Sequence, residues 1–207
     1  WACWEVSIRK SLLFNNCYIE AVCKTFNFGR SWGGESKAQY LRTIDLSGKQ
    51  PRKIAFHAGK AYVSCFDGDV VRIDTTSLEV DGTVHSGSNP EGLCVCNGKL
   101  YVANSGGLNA PNYGTTISVI NLNTFAVEKE ITVSANPCIV QSYNNQYVYV
   151  CSRGNYGNIP YSFQKIDANS DVVVKDYKLE VLNMAIYDHY AYLYNYDYSS
   201  SASWIKV

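Results

Sequence analysis

The sequence has a single methionine, Met184, and only three histidines, His57, His85 and His189. Residue 1 is a tryptophan, so the expected reading is a chain cut, processed or truncated ahead of it. There is no excess of charge: 18 basic and 18 acidic residues cancel, with a pI of about 7.0. That balance argues against a nucleic-acid binder and against a polybasic membrane-surface protein, local patches aside. No apolar run approaches the roughly 20 residues of a membrane helix. Charge is also sparse, at 17% against 46% hydrophobic residues, a composition that buries a core and is not that of a disordered tail. The eight cysteines, at 3, 17, 23, 65, 94, 96, 138 and 151, are too few for a disulfide scaffold and include no Cys-x-x-Cys. Cys94 and Cys96 fall on one face of a strand, but no histidine lies near a cysteine pair in sequence. Scattered small buried thiols are therefore the expectation, and the redox compartment stays open. Gly-x-Ser-x-Gly, His-Glu-x-x-His and P-loop patterns are missing, so no catalytic residue, metal site or cofactor is assigned. A 3.6-residue hydrophobic period is missing from the repeated region, which excludes a helical solenoid.

What is present is tyrosine and a repeat. Fifteen of the 17 tyrosines lie from Tyr62 onward. Segments beginning Gln50-Pro51, Asn89-Pro90 and Asn136-Pro137, with a weaker copy at Asn183-Met184, each read as a short apolar strand, a tight turn, and a strand carrying a tyrosine: Tyr62, Tyr101, Tyr149 and Tyr192. The first three continue into a third strand, a polar turn and a fourth strand. The starts at 51, 90, 137 and 183 are 39, 47 and 46 residues apart. Four short β-rich strands per 40–45 residues or so is the spacing of a propeller blade. The expected fold is all-β: a β-propeller with blades over 50–88, 89–135 and 136–181 and an incomplete blade over 182–207. Residues 39–49 match the last strand of a preceding blade. Residues 1–38 hold three of the four tryptophans and three of the cysteines but no aspartate, and show no hairpin of the repeated type. They are left unassigned, as a degenerate blade or an out-of-frame stretch. A seven-bladed ring at this period needs roughly 310 residues, so about 3.6 recognisable blades fit a fragment of such a ring. Its exposed strand edges predict self-association.

In an up-and-down blade the connection between second and third strands shares a face with the connection from one blade to the next. The former is short in the first blade, residues 65–69, but long in the others, over 104–114, 152–160 and 195–201. These stretches are rich in Asn, Tyr, Gly and Ser. Tyrosine gives stiff amphipathic contact area, and Asn and Ser give adaptable hydrogen bonds; the same residues also make turns. The candidate ligand-binding residues are Asn104, Ser105, Asn109, Asn112, Tyr113, Arg153, Asn155, Tyr156, Tyr196, Asp197 and Tyr198. Arg153 is the one basic side chain in a long loop, suited to a phosphate or carboxylate or equally to a structural salt bridge. The histidines lie at turns, and the four repeated tyrosines are expected to pack between blades.

The Asn-Pro starts, Tyr101-Val-Ala-Asn104 and Ser118-Val-Ile-Asn121 resemble YncE-like propellers with YVTN repeats. The longer run Lys99 to Gly107, Pro111-Asn-Tyr113 and Ser152-Arg-Gly154 is similar to the DUF5074-type surface propellers of Gram-negative gut bacteria. That resemblance spans residues 39–207 and attaches to Asn104, Ser105, Gly106, Pro111, Asn112, Tyr113, Arg153 and Gly154. Some members are seven-bladed lipoproteins that capture cobalamin for an outer-membrane transporter. The resemblance implies a non-enzymatic, extracytoplasmic ligand-binding protein of the periplasm or cell surface. Its partner would be a small molecule such as a corrinoid, or an outer-membrane transporter or surface protein. A protein- or glycan-binding scaffold and a propeller lyase or hydrolase are the alternatives.

Overall fold

The computed structural model describes residues 4–13, 16–25, 38–46, 48–197 and 200–207, with side chains over 43–46, 48–196 and 200–207. Every regular element among them is a strand. Three four-stranded antiparallel sheets follow one another: β4 (Pro51–His57) to β7 (Val80–His85) through β5 (Lys60–Cys65) and β6 (Asp69–Asp74); β8 (Pro90–Cys96) to β11 (Ala126–Thr132) through β9 (Lys99–Asn104) and β10 (Thr116–Asn121); and β12 (Pro137–Tyr143) to β15 (Val172–Asp176) through β13 (Tyr147–Ser152) and β14 (Ser162–Asp167). A three-stranded sheet closes the series, with β16 (Asn183–Tyr187), β17 (Tyr190–Asp197) and β18 (Ala202–Lys206). Each strand pairs with its sequence neighbour, as hairpin turns dictate.

The strands β4, β8, β12 and β16 lie side by side in chain order, and so do β7, β11 and β15. The sheets therefore radiate from an axis as propeller blades, in an open arc and not a closed ring. Register shifts recur at matching places: between Arg72 and Ile73, Val119 and Ile120, and Lys165 and Ile166 in the third strands. A bulge adds twist, which each blade needs to run from the axis to the rim.

The core is layered between blades. Tyr62 and Val70 of the first blade pack with Leu93, Leu100, Val102 and Ile120 of the second. Tyr101, Ile117 and Val119 of the second meet Val140, Val148, Val150 and Ile166 of the third. Cys151 and Phe163 of the third meet Met184 and Leu193 of the fourth. Each such fully buried side chain contributes about 1.5–3 kcal/mol. Three of the four repeated tyrosines hold the expected place, Tyr62 and Tyr101 buried and Tyr149 half-buried, whereas Tyr192, on a side of β17 that faces no described blade, is exposed.

Ahead of the blades, β1 (Trp4–Leu13), β2 (Asn16–Thr25) and β3 (Ala38–Asp45) form an antiparallel three-stranded sheet. Beyond its last strand, Leu46 joins Ile44 in packing against Ala61, Val63, Val71 and Ile73 of the first blade.

Candidate ligand-binding face

The loops expected to share a face are stitched together by their backbones. Ser105 N donates to Asn89 O (3.2 Å) and Gly106 N to Ser88 O (3.0 Å); one blade on, Arg153 N donates to Asn136 O (2.9 Å) and Gly154 N to Ala135 O (3.0 Å). Asn89 (φ 50°) and Asn136 (φ 61°) both adopt the left-handed conformation that asparagine tolerates better than most residues, which is the physical content of the Asn-Pro signature.

Several of the candidate residues build these loops. Asn104 is 2% exposed, and its Nδ2 donates to Ser118 Oγ (2.8 Å), Thr116 Oγ1 (3.2 Å) and Ser86 O (3.2 Å). Ser105 is also buried; its Oγ donates to Asn89 O (2.8 Å) and accepts from Gly107 N (3.2 Å). Both side chains lie beneath the face, locking the loop, and neither is open to a ligand. Asn155 Oδ1 accepts from Gly157 N (3.1 Å) and Ile159 N (2.8 Å), and its Nδ2 donates to Asn158 Oδ1 (2.8 Å). Asn109 Nδ2 reaches Ser88 Oγ (3.2 Å), while Asn112 stands exposed at the loop tip.

The fourth long connection is corrected. Asn195, Tyr196 and Asp197 belong to β17, paired with Trp204, Ser203 and Ala202, because the alternation Tyr192-Leu-Tyr-Asn-Tyr196 continues a strand despite its turn-favouring residues. The hairpin connection shrinks to 198–201. Asn195 is buried and Tyr196 is exposed. Tyr198 and the Asp197 side chain lie outside the described residues.

Tyr113, Arg153 and Tyr156 come together. The Tyr113 and Tyr156 rings meet edge to face at 5.8 Å, linking the long loops of the second and third blades, and Tyr156 meets Tyr161 edge to face at 6.4 Å. Tyr156 has φ 55°, a region that a bulky side chain occupies only when its surroundings hold it there. The Asn155 side chain and the hairpin bond from Asn155 N to Ile159 O do so. Gly154 (φ 63°) is the other requirement, since a Cβ there would lie 2.0 Å from Ile159 O.

Beside this loop is a pocket of about 300 Å³, lined by Arg153, Tyr156, Tyr161, Leu182, Asn183 and Tyr194. Asn183 Nδ2 donates to Tyr194 Oη (3.2 Å), fixing one wall. Tyr161, Leu182, Asn183 and Tyr194 are absent from the sequence-derived set. The face rule itself points to Leu182, in the connection between the third and fourth blades; Asn183 opens β16, and Tyr194 carries no local signal. The half-buried Arg153 guanidinium lies within hydrogen-bonding reach of the Tyr156 hydroxyl, and its buried Nε has no hydrogen-bond partner. Among the described residues no carboxylate forms an ion pair with Arg153. Glu91, the carboxylate that acts on it electrostatically, is held by Arg52 through two bonds of 3.0 and 2.6 Å.

Cys65, Cys94, Cys96, Cys138 and Cys151 are buried and, among the described residues, form no disulfide. Burial pushes the Cys138 thiol up to about 11 and the Cys151 thiol to about 12, so neither is a thiolate at neutral pH. His85 Nδ1 contacts Asp69 Oδ1 (3.1 Å), and His189 Nδ1 contacts Tyr143 Oη (3.0 Å). Among the described residues no group of three or more His, Cys, Asp or Glu is placed to hold a metal ion.

Radiating four-stranded sheets, inner strands around one axis and loops gathered on one face define a β-propeller arc. No family model and no curated protein matches the chain. Solved structures do. The hydrazine synthase of Kuenenia stuttgartiensis superposes with a TM-score of 0.67 at 16% identity, over 89% of this chain and 54% of that one. The WD40 domain of Neurospora crassa Pan2 gives 0.58 at 12%, over 89% and 57%, and the computationally designed Ika8 protein 0.60 at 10%, over 89% and 54%. At these identities the likeness shows the fold alone, and the chain spans little more than half the length of each.

Proposed function

We propose that the chain is a non-enzymatic recognition module that binds a small molecule in the pocket lined by residues of its third and fourth blades. The observation that carries this is the meeting of Arg153, Tyr156, Tyr161 and Tyr194 around about 300 Å³ of open space on the loop face. Concave sites walled by aromatic rings with a few convergent polar groups are where small ligands bind. This volume is at the lower end of the range for such sites, roughly 300–1,000 Å³. A corrinoid, the ligand suggested by the family resemblance, is too large to be enclosed; it would be gripped by a peripheral group, with Tyr113 and Asn112 bearing on the remainder. The extracytoplasmic setting belongs to the same resemblance.

The test is a thermal-shift screen of a small-metabolite library that includes cobinamide and cobalamin, on the full chain and on Tyr156→Ala and Tyr194→Ala. Stabilisation of the full chain that both variants lose supports the reading. Hits that both variants retain, or no hits, overturn it.

A further inference from the structure

We propose that this pocket selects a monocarboxylate carried on a compact ring, with Arg153 as the group that receives the carboxylate; this rests on the pocket's being the binding site. A guanidinium removed from water is costly unless it is paired. Arg153 is half-buried, its Nε is buried with no hydrogen-bond partner, and among the described residues no carboxylate pairs with it. No acidic residue lines the pocket, and Glu91 is taken by Arg52 in a two-bond fork. The lining is thus a single cation facing a space without its counter-charge.

The geometry of the cation narrows the class. A planar guanidinium offers parallel N–H groups that match the two oxygens of a carboxylate. One arginine neutralises one negative charge. A phosphate monoester, with about −1.5 to −2 charges at neutral pH, would bring an uncompensated charge into a lining that has no second cation. The remaining walls are rings: Tyr156 and Tyr161 stand edge to face, and Tyr194 is pinned by Asn183. They suit stacking against a flat or ring-shaped body. About 300 Å³ is about ten times the roughly 30 Å³ share of one liquid water, room for one six-membered ring and its carboxylate.

Isothermal titration of the full chain with benzoate and glucuronate, each beside its neutral twin (benzyl alcohol and glucose) and beside inorganic phosphate, tests this. At least one acid is expected to bind about tenfold or more tightly than its twin, the usual margin of a charge-assisted hydrogen-bonded pair. Arg153→Gln should lose that margin and Arg153→Lys recover part of it, with urea midpoints of both variants showing that they fold. Neutral twins that bind as tightly as the acids and are lost in Tyr156→Ala and Tyr194→Ala overturn the carboxylate class while leaving the pocket as the site. Phosphate binding tighter than either acid overturns it in favour of a phosphoryl ligand. Absence of binding by every probe also overturns it, and the library screen then decides separately whether the pocket binds anything.

Discussion

Asn104 shows how one residue type serves two ends. Asparagine in a Tyr-Val-Ala-Asn element reads equally as a ligand contact and as a turn former, and only burial decides between them. Its Nδ2 reaches three acceptors, Ser118 Oγ, Thr116 Oγ1 and Ser86 O, inside the protein. Asn104→Ala should cost about 2–3 kcal/mol in urea unfolding, because buried acceptors lose their donor, with no change in ligand affinity once stability is matched. A loss of affinity at unchanged stability would return Asn104 to the binding set. Titratable residues set a second expectation. The Lys60 ammonium first, then the Ser77 and Thr76 N–H groups, hold Asp74 well below the usual carboxylate range. Burial pushes Asp69 and Asp81 up, but Lys49 and His85 at the one and Lys60 and Arg72 at the other outweigh it and leave both low. Their folded values lie beneath the unfolded value near 3.9, so this stabilisation is complete above about pH 4–5 and is lost as pH falls through the folded values. On the alkaline side, burial raises Cys96 and Cys138 to about 11 and Cys151 and Tyr149 to about 12. That stabilisation is complete below the unfolded thiol value near 8.5 and is lost as pH rises through 11–12. Urea midpoints followed from pH 3 to 11 should form a plateau between about 5 and 8 with a fall on each side. A profile flat into the acid limb would show that these ion pairs do not hold in solution.

At the scale of strands, the inner strands impose the tightest demand. Gly92 on β8 faces β12 so closely that a Cβ would lie 2.6 Å from Cys138 O and 3.0 Å from Val140 N, both backbone atoms. Gly92→Ala should therefore separate the two blades and destabilise by about 1–3 kcal/mol. Gly98→Ala, at a turn where a Cβ meets nothing within 4 Å, isolates the cost of positive φ without a clash. A Gly92→Ala no less stable than the parent would refute the close approach. The tyrosines give a matched pair. Tyr101 Oη donates to Asp171 Oδ1 at 2.5 Å across the blade boundary, whereas the equivalent Tyr192 is 40% exposed. Tyr101→Phe should cost about 1–2 kcal/mol and Tyr192→Phe almost nothing. Equal effects on urea unfolding would mean that the two positions are not in different environments. The blades were legible in the sequence because turns and alternation are local: Asn97-Gly98, Asn144-Asn145 and the apolar first strands lie within a few residues of their partners. The loop face followed from topology alone. The end of β17 did not, since Asn195-Tyr196-Asp197 carries turn residues on a strand period, and pairing with Trp204, Ser203 and Ala202 decided it. Most of the pocket was hidden for a different reason. Arg153 and Tyr156 belong to one blade and Leu182, Asn183 and Tyr194 to the next, and a distance of about one repeat leaves no local pattern for residues that meet only after the blades stack.

At the scale of the described chain, the side of β17 that carries Tyr192 matters most. In each of the first three blades the side of the second strand that carries Tyr62, Tyr101 or Tyr149 is covered by the blade after it. On β17 the same side presents Tyr190, Tyr192, Tyr194 and Tyr196 with 57%, 40%, 42% and 36% of their surface open to water. Two-residue spacing at about 3.3 Å per residue makes this a strip of aromatic rings about 20 Å long. Beside it, among the described residues, β18 is hydrogen-bonded only to β17, and Ile205 is 77% exposed. A flat aromatic strip next to an unpaired strand edge is a template for another β surface. The described chain is therefore expected to self-associate reversibly in sedimentation velocity, its weight-average mass rising with concentration. Tyr190→Lys with Tyr192→Lys should suppress that rise, since two ammonium groups on the strip add repulsion and remove stacking area while leaving the pocket-lining Tyr194 in place. Charge placed on the first blade, at Phe56 of β4, should have a smaller effect if association runs through β17. A chain that stays monomeric throughout, or one whose association ignores the double lysine variant, would locate the cohesive surface elsewhere.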